Sequence, residues 1–205
     1  DILLVVDTVS SFSAVPIATD ELGIDVLLAG VQKAMALPPG LSVFVVSEAA
    51  LARAESNTDR GYYFDFLEFA KNGAKNNTPS TPPIALLYGL QHMVETIMAE
   101  GLEARYARHE ANNSLVHQWL ASNGFEHFAP EGFRSRTLTT ISNNRDIDVP
   151  GFVKAVREGH GFLINGGYGK IKGRTFRISN MGNETAESIQ DLLTALNEVL
   201  PEFLG

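Results

Sequence analysis

Cysteine is absent from this chain of 205 residues. That absence excludes disulfide staples and thiolate chemistry, and the composition suits a reducing compartment, the cytoplasm. Cations are scarce as well: 16 Lys and Arg stand against 24 Asp and Glu, for a formal charge of −8. The densest basic stretch is Lys170-Ile171-Lys172-Gly173-Arg174, too short for an electrostatic footprint on nucleic acid. No apolar run approaches the roughly 20 residues that cross a bilayer. Neither nucleic acid nor membrane is therefore an expected partner. The five His are scattered, with no His-Glu-x-x-His pair, and no metal is expected. A Gly-x-Ser-x-Gly elbow is missing too. The run Asn165-Gly166-Gly167-Tyr168-Gly169-Lys170 fails as a phosphate loop, because Ile171 follows the lysine where Ser or Thr is needed. It reads instead as a flexible loop, a candidate lid over substrate.

What the chain does have is apolar strands that end in charged residues. Leu3-Leu4-Val5-Val6 runs into Asp7, and Val26-Leu27-Leu28-Ala29-Gly30 runs through Val31-Gln32 into Lys33. Short, continuous apolar runs of this kind suit a parallel sheet covered on both faces. Ligands of open α/β sheets bind beyond the carboxyl ends of the strands, where both charges fall. An acid and a lysine meeting there are the two groups that pyridoxal 5'-phosphate needs. The lysine forms the Schiff base, and the acid keeps the pyridine nitrogen protonated so that the ring draws off electrons.

Four motifs occur in order: Val6-Asp7-Thr8-Val9-Ser10-Ser11-Phe12, Gly23-Ile24-Asp25, Gln32-Lys33 and Pro38-Pro39-Gly40. In this the chain resembles the class V aminotransferases of pyridoxal-phosphate fold type I. That group includes alanine–glyoxylate, serine–pyruvate, phosphoserine and 2-aminoethylphosphonate transaminases. Cysteine desulfurases of the same fold have His before the lysine and a catalytic cysteine, and this chain has neither. The resemblance implies an α/β fold: the end of a large, mostly parallel-sheet domain, then a small α+β C-terminal domain. It also implies that the chain is the C-terminal half of an enzyme, whose other half brings a phosphate loop and a ring-stacking aromatic.

The same resemblance assigns roles. Lys33 would hold the cofactor and shuttle a proton, Asp7 would pair with the pyridinium, and Gln32 would help position the ring. Ser10 would contact the ring or its phosphate, or would simply cap a helix. Asn77-Thr78-Pro79 matches the segment with which phosphoserine enzymes bind a partner subunit's cofactor phosphate. Thr81, ahead of Pro82-Pro83-Ile84, matches the corresponding Thr of alanine–glyoxylate enzymes, and both registers stay open. Either implies a homodimer with shared active sites. Arg177, inside Thr175-Phe176-Arg177-Ile178-Ser179, has a planar fork suited to a substrate α-carboxylate and matches the family's Arg-Ile pattern. The expected reaction is amino transfer from a small amino acid such as alanine or serine to a 2-oxo acid such as glyoxylate or pyruvate. Phosphoserine or 2-aminoethylphosphonate is the alternative donor, and a non-catalytic relative of the fold is the alternative of another class.

Periodicity supplies the rest. Strands are expected at Ile2–Val6, Val26–Gly30 and Leu41–Val46, then a helix from a Ser47 cap, an aromatic loop Gly61–Phe66 and the breaker Asn76–Pro83. Residues 1–83 read as the end of the large domain and 84–100 as a connecting helix with Leu87, Leu90, Val94 and Ile97 on one face. Residues 101–205 read as the small domain in α-β-β-α-β-β-α order. Within it, Tyr106, Leu115 and Trp119 are expected to line the first helix. Phe162–Ile164 and Thr175–Ser179 are expected strands, and the last helix should start at an Asn183 cap.

Overall fold

The computed structural model describes residues 2–204 as two compact units, one ending at Glu100 and the other starting at Gly101. In the first unit β1 (Val5–Asp7), β2 (Val26–Gly30) and β3 (Ser42–Val46) form one sheet in the order β1-β2-β3. β1 and β2 are parallel, with Asp7 opposite Leu28. β3 is antiparallel to β2, so the sheet is mixed rather than parallel throughout. The reason is chain length. A parallel return needs a crossover of a dozen or more residues, normally a helix, and the Val31–Leu41 connector has none. β2 is the buried strand, and Val31, Met35 and Ile97 form a core beside it with Phe12, Leu37, Leu41, Val43 and Leu90.

Helix α1 (Glu48–Glu55) starts where expected, with the Ser47 hydroxyl accepting the Ala50 N–H. Helix α2 (Phe66–Gly73) extends beyond the expected aromatic loop and is capped by Asp65. Its Phe66 and Phe69 rings lie 5.4 and 5.1 Å from the ring of Phe44 on β3. Helix α3 spans Ile84–Glu100 and buries Met93 and Ile97, while Leu87 and Val94 of the expected apolar face remain exposed.

The second unit begins with α4 (Leu102–Ser122), followed by β4 (Glu126–His127), β5 (Leu138–Ser142), α5 (Val149–His160), β6 (Asn165–Gly166), β7 (Thr175–Ser179) and α6 (Ala186–Val199). The sheet order is β4-β5-β7-β6, with every pair antiparallel. Phe176 at its centre packs edge-on against Trp119, Phe125 and Phe152. α6 closes this core with Ile189, Leu192, Leu193, Leu196 and Val199, one helical stripe. Thr185, not Asn183, caps α6, in a reciprocal capping box with Ser188.

Two expectations change here. Phe162–Ile164 is not a strand: Ile164 is buried, but the ladder begins at Asn165. The buried face of α4 is polar over its first half, with Arg105, His109, Asn112 and Asn113 all buried, whereas Tyr106 and Leu115 are only partly so. Two of these residues serve backbone groups after β7. His109 Nε2 accepts the Gly182 N–H, and the Asn112 amide donates to the Glu184 carbonyl.

Candidate active site

The geometry around Asp7 and Lys33 follows from the strands. Because β1 and β2 are parallel and adjacent, the segments leaving them emerge at the same sheet edge. Asp7 is the last residue of β1, and Lys33 lies in the turn three residues past Gly30. Thr8, directly after Asp7, is buried and donates both its backbone N–H and its hydroxyl to the Leu28 carbonyl, each at 2.8 Å. Sequence reasoning missed this residue. Its only signal was a hydroxyl placed one residue beyond an apolar strand.

The turn after Thr8 then meets the Lys33 turn. Ser13 Oγ donates to the Ala34 carbonyl at 3.4 Å, and Phe12 packs with Val31 and Met35. Two non-glycine residues here have left-handed backbone, Ser13 at φ 64° and Ala36 at φ 55°. The Ala36 N–H closes back on the Lys33 carbonyl at 2.9 Å. Gln32 folds back over Gly30, where an added Cβ would come within 2.3 Å of Gln32 Oε1. Helix α3 backs the same loop, with Leu86 against Gly40 and Leu37 against Gly89.

Asp7, Ser10, Gln32 and Lys33 are all exposed. Asp7 Oδ1 accepts the Val9 N–H at 2.9 Å, and no carboxylate of the described residues pairs with Lys33. Asp7 therefore keeps acceptor capacity and Lys33 an unengaged amine. A carboxylate and an amine at one sheet edge fit the pyridine nitrogen and the aldehyde of pyridoxal phosphate.

Asn77, Thr78 and Thr81 are exposed as well, and no described contact joins them to the Lys33 turn. Asn77 Oδ1 accepts the Thr78 N–H at 2.9 Å, and the Thr78 hydroxyl donates to the Ser80 carbonyl at 2.7 Å. The Thr81 hydroxyl and the Asn77 side-chain N–H groups have no partner among the described residues, so both registers keep a donor open.

Arg177 belongs to the second unit. It lies mid-β7, opposite Thr140 on β5 and Asn165 on β6. Its guanidinium carbon is 4.7 Å from the centroid of the Tyr168 ring, and its buried Nε donates to no acceptor. The expected Asn165–Lys170 loop is structured: Asn165-Gly166 is strand β6, and Gly169–Ile171 is a short 3-10 turn.

Residues 1–192 match the family model described as aminotransferase class-V. The chain belongs to the class V aminotransferases. Family membership implies a pyridoxal phosphate cofactor, and the fold is that of fold type I. The chain is 35% identical over 188 residues to serine–glyoxylate aminotransferase of Methylorubrum extorquens, covering 88% of the chain and 46% of the relative. Alanine–glyoxylate aminotransferase from Nostoc sp. superimposes with a TM-score of 0.90 at 31% identity, over 97% of this chain and 54% of that one. A PLP-bound phosphoserine aminotransferase from Trichomonas vaginalis gives 0.80 at 25% identity, over 96% and 55%. The chain thus spans about half the length of the curated relatives it matches.

Proposed function

We propose that this chain carries the lysine half of a class V aminotransferase active site. The reaction moves an amino group from a small amino acid, of alanine or serine type, to a 2-oxo acid of glyoxylate or pyruvate type. One observation carries this reading: Asp7 and Lys33 leave the same edge of two parallel strands that Thr8 ties together. The substrate class draws on relatives named serine–glyoxylate and alanine–glyoxylate aminotransferase.

Pyridoxal phosphate, when bound, supplies the aldehyde that takes up the amino group and the ring that withdraws electrons. The chain's own residues do the rest. Lys33 Nζ would hold the cofactor and, as a free amine, would take the substrate Cα proton onto itself and hand it on to the cofactor side. The Asp7 carboxylate would accept a hydrogen bond from the ring nitrogen of the cofactor. Gln32 and Ser10 steady the ring or its phosphate. Either Thr81 or Asn77 and Thr78 would donate to the phosphate across a homodimer interface. Arg177 takes the substrate α-carboxylate through its planar donors.

In this reading residues 1–83 close a larger cofactor domain, 84–100 connect, and 101–205 form the small domain. The cysteine-free composition supports a cytoplasmic setting. Phosphoserine or 2-aminoethylphosphonate as donor is the second reading, resting on the Asn77-Thr78-Pro79 wording. A panel of amino donors separates the two.

The direct test is borohydride reduction after incubation with pyridoxal phosphate, followed by peptide mapping. One pyridoxyl group on Lys33 is expected; label spread over several lysines would remove Lys33 from the role. Lys33→Ala is expected to abolish transamination, and retained turnover would end this mechanism.

A further inference from the structure

Arg177 has no hydrogen-bonded partner at its buried Nε, and no carboxylate of the described residues pairs with it. A buried donor without an acceptor is unfavourable, so something else must hold the guanidinium where it is. The neighbour that does so is the Tyr168 ring, with the guanidinium carbon 4.7 Å from its centroid.

Tyr168 is itself held from both sides by its backbone. Before it, the Gly167 N–H donates to the Thr175 carbonyl at 2.8 Å. A Cβ on Gly167 would come within 2.3 Å of Thr175 Oγ1 and 2.4 Å of the Ile171 carbonyl oxygen, so the chain runs flush against β7. After it, Gly169 takes φ 57° to start the 3-10 turn, and the Ile171 N–H reaches the Tyr168 carbonyl at 3.3 Å. None of these contacts uses the ring. Tyr168 is 71% exposed, so burial in a core does not explain an aromatic here.

We propose that Tyr168 is a positioning residue for Arg177. The ring attracts the guanidinium electrostatically and no hydrogen bond joins the Tyr168 hydroxyl to it, so the fork of N–H groups stays unpaired. A carboxylate is the acceptor that matches such a fork, two oxygens to two N–H groups. Tyr168 thus sets the direction in which Arg177 meets the α-carboxylate that the amino donor and the 2-oxo acceptor share. The inference rests on the reading of Arg177 as the carboxylate clamp. A carboxylate paired to Arg177 within the protein would hold it equally well but would compete with substrate.

The test is a double-mutant cycle on the native holoenzyme, reading KM and kcat for one amino donor and one 2-oxo acceptor. Tyr168→Leu is expected to raise both KM values about two- to fivefold, the size of an exposed cation–π contact, with kcat little changed. Tyr168→Phe keeps the ring and is expected to restore the native KM. Arg177→Ala is expected to raise KM further, and adding Tyr168→Leu to it should have no extra effect. If Arg177→Ala raises KM while Tyr168→Leu does not, the role of Tyr168 is overturned and the clamp stands. An unchanged KM in Arg177→Ala overturns the clamp and this inference with it. A Tyr168→Leu effect that survives in the Arg177→Ala background shows the ring acting elsewhere and also overturns it. The Arg177 Nε–H resonance is an independent readout: its ring-current shift should vanish in Tyr168→Leu and persist in Tyr168→Phe.

Discussion

Thr8 donates twice to the Leu28 carbonyl, once from its backbone and once from its hydroxyl, both at 2.8 Å. The pair joins the ends of β1 and β2 one residue past Asp7 and five residues before Lys33. Thr8→Val keeps the shape and removes the hydroxyl. The expected loss is about 1 kcal/mol, a fall in Tm of roughly 2–4 °C for a chain of this size. Labelling of Lys33 by pyridoxal phosphate and borohydride should weaken in parallel. An unchanged Tm and unchanged labelling would mean that the second hydrogen bond holds nothing.

How much of this was legible in the sequence depends on which force decided each element. β2 and β7 have the bounds expected from the sequence, and Ser47 capped α1 as read. There, burial and local capping agree with the pattern. Helix α2 was missed because it buries none of its own residues fully and is held by Phe44, a partner distant in sequence. β6 was displaced because Ile164 signals burial, whereas pairing is set by what lies opposite Arg177. The polar face of α4 was invisible because His109 and Asn112 answer backbone groups after β7. In the candidate site the charged pair was readable from strand ends. Thr8 and Tyr168 were not, since each acts on a group that only the fold brings near.

Asp25 gives an acid-sensitive link at the other end of the same sheet. Its carboxylate accepts the Leu4 N–H at 2.9 Å and the Ser47 hydroxyl at 2.8 Å. The Leu4 N–H, then Ser47, hold its pKa below the usual 3.8, against a smaller opposing effect of burial. A depressed carboxylate stabilises above its unfolded pKa, and that stability is lost as pH falls through the folded value. The expected loss therefore lies below about pH 4. Thermal unfolding of Asp25→Asn should depend less on pH between about 5 and about 2.5, which bracket the reference value, than the native chain. Equal slopes would exclude Asp25 as a contributor.

His117 and His127 face each other edge-on, with centroids 4.3 Å apart, beside a small cavity of about 140 Å³ also lined by Arg134. Burial, then Arg134, lowers the pKa of His117 below 6.5, with Glu110 opposing. Burial, then His117, then Arg134, lowers His127. Both rings therefore take up protons more readily in the unfolded chain. Stability is complete above about pH 6.5 and falls as pH drops toward the folded values. Replacing both with Asn should flatten the fall in Tm between roughly pH 7 and pH 5. A native-like slope in the double variant would show that the pair does not set it.

Two glycines near the candidate site residues separate a side-chain obstacle from a backbone one. An alanine Cβ at Gly30 would meet Gln32 Oε1 at 2.3 Å, the far end of a flexible side chain. At Gly167 it would meet the Ile171 carbonyl oxygen at 2.4 Å and its carbon at 3.0 Å, and neither can rotate away. Gly30→Ala should therefore lower stability by less than about 1 kcal/mol while dislodging Gln32. Gly167→Ala should lose about 1–3 kcal/mol, as overpacked sites do. If Gln32 steadies the cofactor ring, Gly30→Ala weakens pyridoxal phosphate binding at nearly native Tm, whereas Gly167→Ala lowers Tm and shifts Tyr168. Calorimetry paired with cofactor titration reads both effects. Similar Tm losses in the two variants would show that Gln32 is as rigidly held as the backbone at Ile171, and the turn around Lys33 would then be a fixed frame for the lysine.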